Sequence, residues 1–169
     1  MKLIIAGCEY TGTTSLASAV CDWASDVLGG HFAYHDHWKL PHIACYPGNS
    51  NPEPLNAADQ AQILGLSRKL KEQIQRHNLN FHMPTDDIED FVLVGYHLDD
   101  DVLGPLYFGY GREDEIQGGL RTKYARHLEQ RILETAPDSI LVLLKASPEI
   151  ISARMNEAPH QNSPLKEQD

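Results

Sequence analysis

The sequence has few cysteines, few basic residues and no long apolar run. Its three cysteines, Cys8, Cys21 and Cys45, include no C-x-x-C pair, so we expect reduced thiols rather than a disulfide framework. Lysine and arginine number 14 against 24 acidic residues, and the net charge of -10 argues against nonspecific nucleic-acid binding. No stretch reaches the roughly 20 apolar residues of a membrane span, and the amino end lacks a signal-peptide layout. We expect a cytoplasmic protein with no membrane partner.

The remaining pattern is that of an α/β domain. The 169 residues, 41% of them hydrophobic, are enough to form one domain over residues 1–169 with a buried core. Strands are predicted near residues 2–6, 31–34, 91–94 and 140–144, the last two as buried strands. Helices are predicted after residue 12, over 56–77, over 115–134 and from 148. Because strands alternate with helices, we predict a doubly wound parallel sheet in a three-layer α/β/α fold.

Apolar spacing also predicts which helix faces are buried. In the first helix the apolar positions are Leu16, Ala17, Ala19, Val20, Trp23, Ala24 and Val27. In the long helix from residue 56 they are Ile63, Leu66, Leu70 and Ile74. Between the second strand and this helix, residues 36–55 contain four prolines and are predicted to form a long loop, of a kind that is usually functional.

The turn after the first strand has the spacing of a phosphate-binding loop but lacks its lysine. A Walker A loop reads G-x-x-x-x-G-K-[ST]; Gly7 and Gly12 have that spacing, Thr13 replaces the lysine and Thr14 follows. Glycines let backbone N–H groups converge on phosphate oxygens, and the helix N-terminus adds about half a positive charge. Thr14 has the position of the magnesium-binding hydroxyl, whereas Thr13 cannot neutralise charge. A cation must therefore come from elsewhere, unless this is an ordinary strand-to-helix turn.

Three segments resemble the thymidylate-kinase-like branch of the P-loop nucleotide kinases. That family's loop reads G-x-E-G-x-G-K-[ST]-[ST], and Gly7–Ser15 matches it, including Glu9, but departs from it at Tyr10 and Thr13. A second match begins at Tyr96, after the third strand.

Two further features belong to the same resemblance. The family's Asp-Arg pair before the second match is replaced by Val94-Gly95. The third match, Leu141–Met155, is similar to the helix that leads into the family's mobile lid, so that about 156–169 would begin the lid. Such kinases usually have a fifth strand, and by this resemblance the chain is truncated before the last strand.

The resemblance implies ATP or another nucleoside triphosphate as cofactor, together with magnesium. The residues that would bind the nucleotide are Gly7, Cys8, Glu9, Tyr10, Thr11, Gly12, Thr13, Thr14 and Ser15. Asp36 follows the second strand, where related kinases place an acid that acts as a base or binds the metal through water. The arginines best placed are Arg154 and Arg112 for the nucleotide, and Arg68 or Arg121 for an acceptor phosphate. Exposed arginines of this kind are otherwise ordinary surface charges.

Other polar residues leave alternatives open. His97 is a candidate for contacting the acceptor, and Asp99 either orients magnesium together with Thr14 or caps the next turn. His35 and His37, with Asp36 or His42, have ligand types for a transition metal but not the spacing of a zinc motif. The aromatic residues within 104–111 either stack on a base or pack in a loop.

Two functions follow from these features. The first is an atypical nucleotide or nucleoside kinase-like phosphotransferase, whose partner is a small nucleotide or phosphorylated substrate. The second is a catalytically dead P-loop protein that binds phosphate, a phosphorylated ligand or a protein. The sequence leaves the oligomeric state open, with a homodimer among the options.

Overall fold

The computed structural model of the chain describes residues 1–36, 40, 55–84, 90–110 and 120–159, apart from the side chains of 120–123. Nearly all of the predicted loop 36–55 and most of the predicted lid segment from 156 therefore lie outside the described residues. None of the helices in the described ranges is long and apolar enough to cross a bilayer.

A four-stranded parallel sheet organises the described residues. Its strands are β1 (Lys2–Ala6), β2 (Tyr34–His35), β3 (Phe91–Val94) and β4 (Ile140–Leu143), in the spatial order β2-β3-β1-β4. The helices are α1 (Thr13–Leu28), α2 (Ala57–Gly65), α3 (Arg68–Phe81), α4 (Tyr96–Leu103), α5 (Leu120–Thr135) and α6 (Pro148–Glu157). One turn of π-helix, Gly104–Phe108, follows α4. The predicted α/β class with a parallel sheet is confirmed.

Helices cover both faces of the central strand β1. Successive strand side chains point to opposite faces, so Ile5 packs with Cys21 of α1, whereas Ile4 packs with Leu79 of α3 and Leu128 of α5. Each of these five residues is almost fully buried. This arrangement is compatible with the predicted three layers.

The buried stripe of α1 is narrower than its apolar pattern predicted. Ala17, Cys21 and Ala24 are buried at the spacing i, i+4, i+7, which is one face of a helix. Trp23 and Val27 fall beside this stripe, and both side chains are exposed. Their predicted burial was wrong, because small residues rather than large ones form the face that contacts the sheet.

The long helix predicted over 56–77 is two helices. Leu66 has extended backbone angles and ends α2, and the Ser67 hydroxyl accepts a hydrogen bond from the N–H of Leu70 at 3.4 Å, which caps α3. Leu70 is exposed, and α3 instead buries Gln75, Asn78 and Leu79. The predicted face was therefore wrong, because α3 packs a partly polar stripe inward.

Of the two strands predicted to be buried, β3 is buried and β4 is largely exposed. Val92, Leu93 and Val94 of β3 are buried between neighbouring strands and helices, as predicted. In β4, however, Ile140 is 61% exposed and Leu143 is 61% exposed, so its predicted burial was wrong. The physical reason is position, since β4 is an edge strand that pairs with β1 alone in the described part of the chain.

The observed ends of other elements differ from the predicted ends by a few residues. The second strand, predicted at 31–34, lies at Tyr34–His35, and α5 begins at Leu120 where the sequence predicted residue 115. Residues 111–119 are outside the described residues. Ser147 caps α6 by accepting a hydrogen bond from the N–H of Ile150, with Pro148 in the first turn, as predicted.

Candidate functional site

The carboxyl ends of β1 and β3 lie side by side, and the elements that follow them leave the sheet on opposite faces. The N–H of Gly95 donates to the carbonyl of Ile5 at 2.7 Å, so the two strand ends are held together. From here α1 packs on one face, and Tyr96 at the start of α4 packs on the other. In open parallel sheets, ligands bind outside the carboxyl ends of strands at such a point.

The loop that follows β1 is a closed turn with two left-handed residues. Thr11 donates from both its N–H and its hydroxyl to the carbonyl of Cys8, at 3.2 and 2.6 Å. Tyr10 has φ 65° and Gly12 has φ 98°. Gly12 is the N-cap of α1, and because it has no side chain it cannot cap the first-turn N–H groups. These N–H groups form the positive end of the helix dipole and suit an anion.

Gly7 is enclosed by the loop and by the end of β4. A Cβ atom at this position would lie 2.6 Å from the Thr11 hydroxyl oxygen, 3.0 Å from the Leu144 carbonyl oxygen and 3.0 Å from the Thr13 methyl. The close approach of these groups requires glycine. The same contact shows that the Thr13 methyl faces back toward Gly7.

A short hydrogen bond connects the start of α1 to the residue after β2. The Thr14 hydroxyl donates to a carboxylate oxygen of Asp36 at 2.6 Å. Burial raises the pKa of the nearby Tyr34 phenol, and the Asp36 charge raises it further. A hydroxyl and a carboxylate are oxygen ligands of the type that magnesium binds, commonly through water. The structure therefore brings together two residues that the sequence predicted separately.

The metal prediction for Asp99 is not tested by this geometry. Within the described residues, no group of three or more His, Cys, Asp and Glu is close enough to hold a metal ion. The Asp99 carboxylate lies against Gly95, where a Cβ atom would collide with it. Gly95 has φ 81°, so glycine is favoured there for two reasons.

Arg154 reaches the loop from α6. Its Nη1 atom donates to the carbonyl oxygens of Tyr10 at 2.7 Å and Thr11 at 3.1 Å, across about 144 residues of sequence. The same atom lies 3.8 Å from where a Cβ of Gly12 would be. Of the four arginines that the resemblance singled out, Arg154 is therefore placed beside the loop.

A concave surface, the α3–α4 cleft, lies next to α4. It is lined by Gln75, Asp99, Asp100, Leu103, Gly104, Phe108 and Tyr110. The Tyr110 hydroxyl donates to Asp100 at 2.7 Å, and both side chains are buried. The Phe108 and Tyr110 rings are nearly parallel, with centroids 6.2 Å apart. The cleft is closely packed: it leaves no space for a water molecule, and Gln75, Asp100 and Tyr110 in its lining are all buried.

Arg68 lies at the rim of this region. Its side-chain carbons and Nε come within 3.6–3.8 Å of a Cβ position at Gly109, so it extends along the backbone that leads from the π-helical turn to Tyr110. This is the side on which the resemblance placed an acceptor phosphate.

His97 is buried in α4 rather than presented to a ligand. It is 4% exposed, and both ring nitrogens lack a hydrogen-bond partner among the described residues. Burial lowers the pKa of His97, while the charges of Glu129 and Asp101 oppose that shift. The described residues that line the α3–α4 cleft do not include His97. Its catalytic role stays a prediction that this geometry does not support.

Several predicted site residues lie outside the description. They are Arg112, His37, His42 and the side chain of Arg121, whose backbone lies in α5. Conversely, sequence reasoning missed Gln75 and the Asp100–Tyr110 pair. Gln75 gave no signal because a polar residue on an amphipathic helix is expected outside. Tyr110 was noticed only as an aromatic, since its partner lies ten residues away beyond a π-helical turn.

The chain was compared with protein-family models, with curated proteins and with solved structures, and none of the three comparisons found a match.

Proposed function

We propose that this chain is an atypical P-loop nucleotide kinase of the thymidylate-kinase-like type. It transfers a phosphoryl group from a nucleoside triphosphate such as ATP to a nucleotide-type acceptor. The observation that carries the proposal is the 2.6 Å hydrogen bond between Thr14 and Asp36. It joins a hydroxyl at the start of a helix to an acid after the second strand, as a magnesium–phosphate site requires.

The phosphates bind to the loop between Gly7 and Gly12. The uncapped N–H groups at the start of α1 face them, and the helix dipole stabilises their negative charge. Magnesium, when bound, neutralises charge on the phosphate oxygens, and Thr14 and Asp36 are the residues that would hold it through oxygen or water.

The acceptor binds at the outer rim of the α3–α4 cleft, beside Arg68. Phe108 is partly exposed there and offers a ring surface. Arg68 at the rim contacts an anionic group of the acceptor. In the transfer, an acceptor oxygen forms a bond to the γ-phosphorus while the bond from that phosphorus to the bridging oxygen breaks, and the nucleoside diphosphate leaves.

A screen for phosphoryl transfer tests this proposal. Labelled γ-phosphate is followed from nucleoside triphosphates to mononucleotides, nucleosides and polynucleotide 5' ends. We expect transfer to at least one acceptor, and Asp36→Asn should reduce it by about 100-fold or more. Asp26→Asn, on the exposed side of α1, is the matched control and should leave the rate unchanged. Absence of transfer to every acceptor would refute the kinase assignment.

A second function is favoured by Thr13. Its methyl faces Gly7, so the position where P-loop kinases have lysine supplies no positive charge. A protein that binds a phosphorylated ligand without turnover fits this observation. It predicts saturable nucleotide binding in a calorimeter together with a silent transfer screen, and turnover that Thr14→Ala abolishes would exclude it.

A further inference from the structure

The guanidinium of Arg154 is in contact with the loop. Ser147 starts α6, and two turns later Arg154 projects across to the loop after β1. Its Nη1 group contacts the carbonyls of Tyr10 and Thr11, next to the glycine that precedes Thr13. An exposed arginine normally contributes little, but this one bridges elements far apart in sequence at a conformationally unusual turn.

The two carbonyls belong to a turn with unusual backbone angles. Tyr10 has a positive φ, which is unfavourable for a residue with a Cβ atom, and Gly12 is also left-handed. A charged donor shared by the Tyr10 and Thr11 carbonyls stabilises that turn more than a neutral donor would. Arg154 therefore stabilises the turn that leads into α1.

The guanidinium has further donors beyond these two bonds. It carries five N–H groups, and those of Nε and Nη2 have no partner within the described ranges. Planar guanidinium groups bind phosphate with paired N–H donors. The charge is already at the loop, whereas lysine is absent from it.

We propose that Arg154 replaces the missing loop lysine, by holding the Tyr10 and Thr11 carbonyls and by presenting its remaining N–H groups to the phosphates of the bound nucleotide. The inference rests on the proposed nucleotide-binding function and deepens it. It assigns to one residue on α6 both the shape of the loop and the charge that the loop itself lacks.

Binding of magnesium-ATP by the full chain, measured by titration calorimetry, tests the assignment. We expect Arg154→Gln to weaken binding by about 10- to 100-fold, the effect of losing one charge-assisted hydrogen-bonding group. Arg154→Lys retains the charge and should bind more tightly than the glutamine variant. Arg126→Gln removes the same charge from an exposed site on α5 and should change the affinity by less than about threefold.

Restoring the loop lysine by Thr13→Lys tests whether Arg154 acts through its positive charge or only through its contact with the loop. In the Arg154→Gln background, Thr13→Lys should recover most of the lost affinity. In the unmodified chain, Thr13→Lys should increase the affinity by a smaller factor, because Arg154 already contacts the same phosphates. Unchanged binding by Arg154→Gln would overturn the inference, and so would a loss that neither Arg154→Lys nor Thr13→Lys repairs.

Failure of the proposed function has a different signature. If the unmodified chain and the Thr13→Lys variant both give no binding of magnesium-ATP, nucleotide binding itself is refuted and the Arg154 inference falls with it. If the unmodified chain binds and Arg154→Gln binds equally well, only the inference is refuted. Circular dichroism of each variant confirms that the α/β fold is retained.

Discussion

Replacing Gly7 by alanine should destabilise the protein through one crowded contact. The added Cβ would lie 2.6 Å from the Thr11 hydroxyl oxygen and 3.0 Å from the Leu144 carbonyl oxygen. The carbonyl cannot move easily, because the N–H of Leu144 is hydrogen-bonded to Ala6 at 2.8 Å. The hydroxyl can rotate only by losing its 2.6 Å bond to Cys8.

The expected magnitude follows from these two constraints. Overpacking by one methyl costs about 1–3 kcal/mol, and losing a hydrogen bond costs about 0.5–1.5 kcal/mol. We therefore expect Gly7→Ala to reduce the free energy of unfolding by about 2–4 kcal/mol. With a urea m-value of about 2 kcal/mol/M, the midpoint of unfolding falls by about 1–2 M.

Gly65→Ala is the matched control in the same assay. No atom lies within 4 Å of a Cβ at Gly65, which ends α2, so alanine should be neutral or stabilise by about 0.4–1 kcal/mol. If the unfolding free energy of Gly7→Ala lies within about 0.5 kcal/mol of the unmodified protein, the close packing of the loop against β4 is refuted.

Three further predictions concern the core and the α3–α4 cleft. Leu79→Ala should lower the free energy of unfolding in urea by about 2–5 kcal/mol, because Leu79 is fully buried. Leu70→Ala, on the exposed side of α3, should lower it by less than about 0.5 kcal/mol, and equal losses would contradict the buried face assigned to α3. Tyr110→Phe removes the hydroxyl that donates to the buried Asp100 carboxylate and should cost about 1–3 kcal/mol; an unchanged midpoint would contradict the bond. Burial lowers the pKa of His97, so the folded protein holds this side chain neutral. The free energy of unfolding should therefore be unaffected by His97 above pH 6.5, and it should decrease below pH 6.5 by at most about 1.4 kcal/mol per pH unit, because only the unfolded chain takes up the proton there. His97→Leu should flatten that part of the stability curve, and an equally steep fall in this variant would assign the pH dependence to other groups.

The sequence predicted those parts of the fold that depend on neighbouring residues. The strand Lys2–Ala6, the turn at Gly12 and the helix from Thr13 are adjacent in the chain, so their apolar pattern and glycine spacing identify them directly. The start of α6 was likewise predicted from Ser147 and Pro148, which cap and begin a helix by local chemistry. Each of these signals lies within a short continuous stretch of the sequence.

Features set by tertiary position were predicted poorly. The apolar residues of β4 match those of a central strand, but the strand lies at an edge, and strand order depends on connections between distant segments. In the same way, Leu70 has an apolar side chain yet is exposed, because the packing of α3 against the sheet buries Gln75 and Asn78. Local hydrophobicity does not indicate where a strand lies in the sheet or which face of a helix packs against the sheet.

The candidate site combines both kinds of residue. Thr14 was predicted from the glycine spacing of the loop and Asp36 from the resemblance to related kinases, and the structure adds the hydrogen bond between them. The contact of Arg154 with Tyr10 could not be predicted from spacing, since it joins residues 144 apart. Which arginine approaches the loop is decided by how α6 packs, which no local pattern specifies.

Titration calorimetry with magnesium-ATP tests the central claim, nucleotide binding by the loop, most directly. We expect saturable one-to-one binding with a dissociation constant below about 1 mM. Thr14→Val should weaken it by about tenfold, because the hydroxyl that contacts Asp36 is lost, whereas Ser152→Ala, which removes a hydroxyl from an exposed position on α6, should have little effect. Absence of binding by the unmodified chain, or equal binding by the Thr14→Val variant, would contradict the assignment of the loop after β1 as a nucleotide site.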